Sequence, residues 1–131
     1  MTSRQIKIKT GVIQRLMKDF ESYEVEIDEQ LKSLDKLEQQ RIRIGREVEE
    51  DEELINWKIR KQREVLEQTR KILPDVYQRL NNSTEELKEL VDAYEEELKD
   101  TDELDKAKKI LEKFYLTNDQ RRSCIDQLAN Q

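Results

Sequence analysis

The chain has 131 residues, of which 43% are charged, with 31 Asp and Glu against 25 Lys and Arg, a net charge of −6 and no histidine. That length points to one domain, and the missing histidine removes histidine metal sites and histidine acid–base chemistry. Leu, Ile, Val and Phe make up about a quarter of the residues, above the ~20% level where disorder becomes the default for so charged a chain.

Those apolar residues are periodic. Ile6, Ile13, Phe20, Ile27 and Leu34 step by seven, with Leu16, Tyr23, Leu37 and Ile44 between them. Side chains three, four and seven residues apart share one face of an α-helix, so the pattern predicts a first helix over about 3–44. Thr2 or Ser3 is placed to cap it, and Lys9, Gln30 and Arg41 are polar interruptions of its stripe. Gly11 sits early in this helix, where a close neighbouring helix or a hinge would explain it. Gly45 follows Ile44 as a stop signal, with Arg41, Arg43 and Arg46 near the helix end. The acidic run from Glu47 to Glu53 reads as a solvated tip and the start of the next helix. The turn therefore lies within Gly45–Asp51.

The second helix, expected over about 52–98, carries Ile59, Leu66, Leu73, Leu80, Leu87 and Tyr94 at seven-residue steps. Gln62, Thr69, Val76, Ser83 and Leu90 fall at the half-steps. The only proline, Pro74, lies inside it. An interior proline removes a donor and costs about 3 kcal/mol, which ordinarily ends a helix. The phase is unchanged across it, so a continuous helix kinked near Lys71–Leu73 is predicted. Asp100-Thr101-Asp102-Glu103 then breaks the period and supplies capping groups for a third helix over about 102–116, repeating Leu104, Ala107, Leu111 and Phe114. Ile125 and Leu128 keep its phase, which favours an extension to about 129.

With a turn near Val48, Leu37 faces Ile59 or Arg60, Leu31 faces Leu66, and Phe20 faces Val76 or Tyr77. Short connections make neighbours antiparallel. The expected fold is all-α: an antiparallel, spectrin-like three-helix bundle with a long kinked middle helix and a projecting two-helix arm, as a single helical domain over 1–131.

No catalytic, cofactor-binding or metal-ligating set can be assembled. One Cys and no His leave no nucleophile–base pair, the carboxylates lie on solvated helical faces, and no Gly-rich phosphate loop exists. No cofactor is expected, and the chain is read as a non-enzyme. Lys and Arg interleaved with Glu and Asp argue against a nucleic-acid footprint, and no apolar run approaches the ~18 residues of a membrane span. The opening Met1-Thr2-Ser3-Arg4 lacks an apolar signal core, and a single Cys, Cys124, fits a reducing compartment. Trp57, in the arm, is either a lid on its core or part of a contact surface.

Two blocks carry a resemblance. Arg4-Gln5-Ile6-Lys7-Ile8-Lys9-Thr10-Gly11-Val12 with Arg15-Leu16 resembles the N-terminal signature of the tubulin-binding cofactor A, or tubulin-specific chaperone A, family. The second block has Ile59, Lys61-Gln62, Glu64, Leu66, Arg70, Ile72 or Leu73, Pro74-Asp75 and Arg79-Leu80, with a weaker third match at Ala107 and Ile110-Leu111. The resemblance implies a three-helix bundle that binds β-tubulin between its release from the cytosolic chaperonin and assembly of the αβ heterodimer, without nucleotide. It implies a cytoplasmic, cytoskeleton-associated protein working as monomer or homodimer, with other tubulin cofactors as further partners. Relative to the family's usual pattern the hairpin is longer by roughly three helical turns, and the chain continues from about Thr117. The competing reading is a structural coiled-coil or spectrin-like spacer or adaptor without chaperone activity. The N-terminal block, which heptads do not require, favours the chaperone.

Client β-tubulin is acidic overall in the family picture, as this chain is, so affinity must come from local basic side chains beside exposed apolar ones. Two places offer both. One is Arg4, Lys7, Lys9 and Arg15 around Ile8 and Val12; the other is Lys61, Arg70, Arg79 and Tyr77 beside Pro74. Arg15 falls near the level of Asn82, so the two form one strip if they face the same side.

Overall fold

The computed structural model describes residues 2–44 and 49–129. Three helices account for nearly all of them: α1 (Thr2–Ile44), α2 (Glu49–Tyr94) and α3 (Asp102–Ala129). The described residues contain no strand, and the fold is all-α. The expected glycine stop at Gly45 and the turn up to Val48 lie outside the described residues.

α2 starts at Glu49, so the acidic run from there to Glu53 falls within its first turns. It is helical straight through Pro74. It does not reach Leu98, as its sequence period suggests, but ends at Tyr94. Glu95, Glu96 and Glu97 would load negative charge onto the negative end of the dipole, which disfavours further turns. The chain instead tightens through Leu98 N–H to Tyr94 C=O and Thr101 N–H to Leu98 C=O, both 3.0 Å, and reverses at Asp100, whose φ is 68°. Thr101 then caps α3, its Oγ1 accepting from Leu104 N–H at 3.3 Å. Asp102, Glu103 and Asp105 fill the first turn of α3. Thr117 does not interrupt this helix, because its hydroxyl bonds back to Lys113 C=O at 2.9 Å.

The chain divides into two compact units. The first comprises Met1–Glu21 and Pro74–Gln131. Its core joins Ile6, Ile13 and Met17 of α1, Leu80, Leu87 and Val91 of α2, and Leu104, Ala107, Ile110, Leu111 and Phe114 of α3. The seven-residue steps are buried as the spacing predicts, but the positions between them are displaced by one. Thr10 and Met17 are buried rather than Lys9 and Leu16, and Thr84 and Val91 rather than Ser83 and Leu90. Each helix here packs against two others, so its buried sector is wider than a two-helix seam and follows 3.6 rather than 3.5 residues per turn. The threonines fit because their hydroxyls return to their own helix, Thr10 to Ile6 C=O at 2.7 Å and Thr84 to Leu80 C=O at 2.8 Å. Rising positions on α1 meet falling positions on α2, Lys9 with Glu86 and Phe20 with Tyr77.

The second unit, Ser22–Leu73, is the stretch expected as the arm. Its buried apolar residues are Ile27 of α1 and Ile55, Ile59, Leu66 and Leu73 of α2. Gln30 is no exposed interruption; it is buried, and its Nε2 donates to Thr69 Oγ1 at 3.2 Å. Leu31, expected to face Leu66, is instead 39% exposed, because the buried phase passes through Ile27 and Gln30. Arg63 Nη2 meets Glu38 Oε1 at 2.8 Å on the rim.

Candidate functional site

The nine residues singled out by sequence fall into three groups, with Lys9 apart from all of them. Arg4, Lys7 and Arg15 lie together on one open groove of the first unit, with Ile8, Gly11 and Gln14 of α1 and Glu103 of α3. Their spacing of three, four and four residues, through Gly11, sets them on one helical face. Ile8 is 55% exposed there, as expected of an off-stripe position, and Val12 is half-buried. Lys9 does not belong to this face. It lies with Gln5, Ile8, Glu89 and Leu90 and makes an ion pair with Glu86 of α2.

Pro74, Tyr77 and Arg79 belong to the same unit but are committed elsewhere. Arg79 pairs with Asp75 at 3.2 Å, within its own helix. The Tyr77 ring lies 6.2 Å from that of Phe20, and its hydroxyl meets Arg122 of α3. The Tyr77 side chain first, and then Asp119 and Asp126, hold the Arg122 guanidinium above its ordinary range. No α2 residue lines the Arg4–Arg15 groove, so the two basic patches are not brought onto it together. Lys61 and Arg70 fall in the second unit. Lys61 Nζ stands 5.9 Å from the centroid of Trp57, which keeps 49% of its surface exposed. Lys61 also pairs with Glu64 at 3.5 Å, and Arg70 is half-buried.

Two features of the groove escaped the periodic reading. The first eighteen residues contain five basic side chains and no acidic one, within a chain of net charge −6. Lys18 extends the same face beyond Arg15. Counting acids along the chain, rather than in total, would have found this. The second feature is Gly11, which no close neighbour requires: a Cβ built on it meets nothing within 4 Å. Close approach of another helix is therefore not its explanation. Arg121 was also missed. It is buried, its guanidinium carbon 4.9 Å from the Phe114 centroid and its Nη2 donating to Phe114 C=O at 2.8 Å. Its spacing was a signal: Arg121 lies seven residues after Phe114 and seven before Leu128, whereas the exposed Arg122 is one residue off that phase.

Among the described residues no group of three or more His, Cys, Asp and Glu could hold a metal ion, and no helix is long and apolar enough to cross a membrane. The groove's tools are charge, a little apolar surface and an open backbone, which suit binding rather than bond-making. The sequence model of the tubulin binding cofactor A family matches residues 1–111, most of the chain. The chain belongs to the tubulin binding cofactor A family. The match takes in α1, α2 and the first ten residues of α3, and so contains the whole α1 face; residues 112–129 of α3 lie beyond it. No curated protein and no solved structure matches the chain significantly.

Proposed function

We propose that this protein is a tubulin folding cofactor that holds β-tubulin after its release from the cytosolic chaperonin and before the αβ heterodimer assembles. The family match over residues 1–111 carries the reading. The α1 groove supports it: three of the basic residues expected to touch the client line one open face beside exposed Ile8. Binding is non-covalent and needs no nucleotide or metal. Such work places the protein in the cytoplasm beside the cytoskeleton, as monomer or homodimer, passing its client to other tubulin cofactors. Within the first unit the α1 groove is the primary contact, because Tyr77 and Arg79 are already engaged by Arg122 and Asp75.

The test mixes the purified chain with β-tubulin released from αβ dimers and looks for a co-eluting complex. The parent forms one, and Lys7→Glu with Arg15→Glu, checked for helicity by circular dichroism, forms markedly less. A parent that never co-elutes leaves the structural-spacer reading standing. Undiminished capture by the folded double variant moves the contact away from α1, with the surface around Trp57 next in line.

A further inference from the structure

We propose that the α1 groove recognises an extended acidic polypeptide segment, whose backbone lies over Gly11 and whose carboxylates reach Lys7 and Arg15. The proposal rests on the tubulin-binding reading for its setting and specifies the chemistry that reading leaves open.

The groove's cations stand outside the ion pairs of the surface. Eight ion pairs are seen among the described residues, and they engage Lys9, Lys32, Lys61, Arg63 and others. None includes Arg4, Lys7, Arg15 or Lys18, which are all exposed on one face of α1. Acids on α3 approach from one side only. Glu103 lines the groove, and Asp102, near its edge, is paired with Lys106 at 3.3 Å. Within the groove three cations, Arg4, Lys7 and Arg15, thus meet one carboxylate outside any ion pair, Glu103, and the next acids of α1, Asp19 and Glu21, lie one turn beyond Arg15 and Lys18. Repulsion among the cations is a cost that an incoming acidic chain removes.

The dimensions fit such a chain. From Arg4 to Lys18 the helix rises about 21 Å, which an extended peptide covers with six or seven residues at about 3.3 Å each. Gly11 lies midway between Lys7 and Arg15, one turn from each. A glycine inside a helix costs about 1 kcal/mol relative to Ala, and here no packing demands it, since a Cβ would meet only open space. Its effect is to lower the floor of the groove between two cations, so that a ligand backbone comes closer than any side chain would permit. Gln14, on the same lining, offers both a donor and an acceptor to that backbone. A nucleic acid is the poorer fit. The lining carries no aromatic ring on which a base could stack.

The probe is a fluorescein-labelled peptide of about eight glutamates, its anisotropy followed on titration with the full chain at about 0.02 M and about 0.3 M salt. The parent binds at low salt and more weakly at the higher salt. Lys7→Glu with Arg15→Glu weakens binding at least about tenfold, while an equal reversal elsewhere, Lys36→Glu with Lys113→Glu, changes it less than about twofold. Gly11→Leu keeps every charge and the helix but fills the notch, and it weakens the peptide severalfold. No binding by the folded parent at low salt overturns the proposal, as does equal weakening by the control reversal. Preference for a single-stranded oligonucleotide of equal length overturns it in favour of nucleic acid, and indifference to Gly11→Leu removes the backbone approach. Tubulin capture, measured in parallel, separates the two ideas: capture without peptide binding refutes the acidic groove alone, and peptide binding without capture refutes the tubulin reading alone.

Discussion

The polar pair inside the second unit offers the sharpest test of how that unit is held together. Gln30 and Thr69 are 8% and 4% exposed, and a single hydrogen bond of 3.2 Å joins them across α1 and α2. The same Gln30 Nε2 donates to Glu26 at 3.1 Å, and Thr69 Oγ1 donates back to Val65 C=O at 3.1 Å. Gln30 Oε1 is buried without a partner. A buried unsatisfied acceptor costs about 1–3 kcal/mol, whereas the bond itself returns only about 0.5–1.5 kcal/mol. The pair is therefore a net cost relative to apolar side chains of similar size.

Three variants separate these terms. Thr69→Val removes the cross-helix acceptor but leaves the buried amide, and should destabilise by about 1 kcal/mol. Gln30→Leu removes the orphaned oxygen while Thr69 keeps its bond to Val65, and should be neutral or stabilising by about 1 kcal/mol. The double variant should be the most stable of the set, by about 1–2 kcal/mol over the parent. The assay is urea unfolding followed by amide hydrogen exchange across residues 22–73, which reads this unit separately from the other. A double variant less stable than the parent by more than about 1 kcal/mol would show that the pair contributes net stability, and the ordering argued above would be wrong.

Three further predictions follow from single side chains. Gly11→Ala should stabilise the first unit by about 0.5–1 kcal/mol, raising the melting temperature by a few degrees; a lower one would reveal a neighbour close to Gly11. Leu80→Ala, at a side chain with no exposed surface, should cost about 2–5 kcal/mol, and a melting curve matching the parent would contradict the buried phase of α2. Pro74→Ala restores a backbone donor inside α2 and should leave the helix equally or more stable; tubulin capture at parental affinity would exclude a contribution of the proline to the client surface.

Helix existence was legible because seven-residue spacing survives any context: Ile6, Ile13, Phe20 and Ile27 are all buried, as are Leu66, Leu73, Leu80 and Leu87. At the intervening positions seven-residue counting falls one residue behind the 3.6-residue turn, so it points to Leu16 and Leu90 where Met17 and Val91 are buried. A threonine that bonds its own helix behaves as an apolar residue of similar size, and hydropathy does not register that. The end of α2 went wrong for an electrostatic reason. Leu98 continues the period, but Glu95–Glu97 oppose another turn, and the capping geometry at Thr101 supplies a better stop. Gln30 looked like a gap in the stripe because its partner, Thr69, is 39 residues away and only the fold brings them together. Of the candidate site, Arg4, Lys7 and Arg15 were separable by helical spacing alone. So was the departure of Lys9, which at two residues from Lys7 falls on a different face; only its pairing with Glu86 needed the facing helix.

Capture of the proposed acidic client by an acidic chain poses a definite electrostatic question, and its sign can be measured. If net charge governs, this chain at −6 and an acidic client repel, and added salt strengthens capture by screening the repulsion. If the α1 groove governs, added salt weakens capture, because the attraction acts between exposed groups in contact with solvent. Distance decides between them. At physiological ionic strength the screening length is about 8 Å, so a docked segment experiences the cations it touches far more than carboxylates beyond that distance. Capture should therefore fall as salt rises from about 0.05 M to about 0.3 M, and Lys7→Glu with Arg15→Glu should flatten or reverse the trend. A parent whose capture improves with salt over that range would show that the stripe does not carry the contact, whatever the double variant does to affinity.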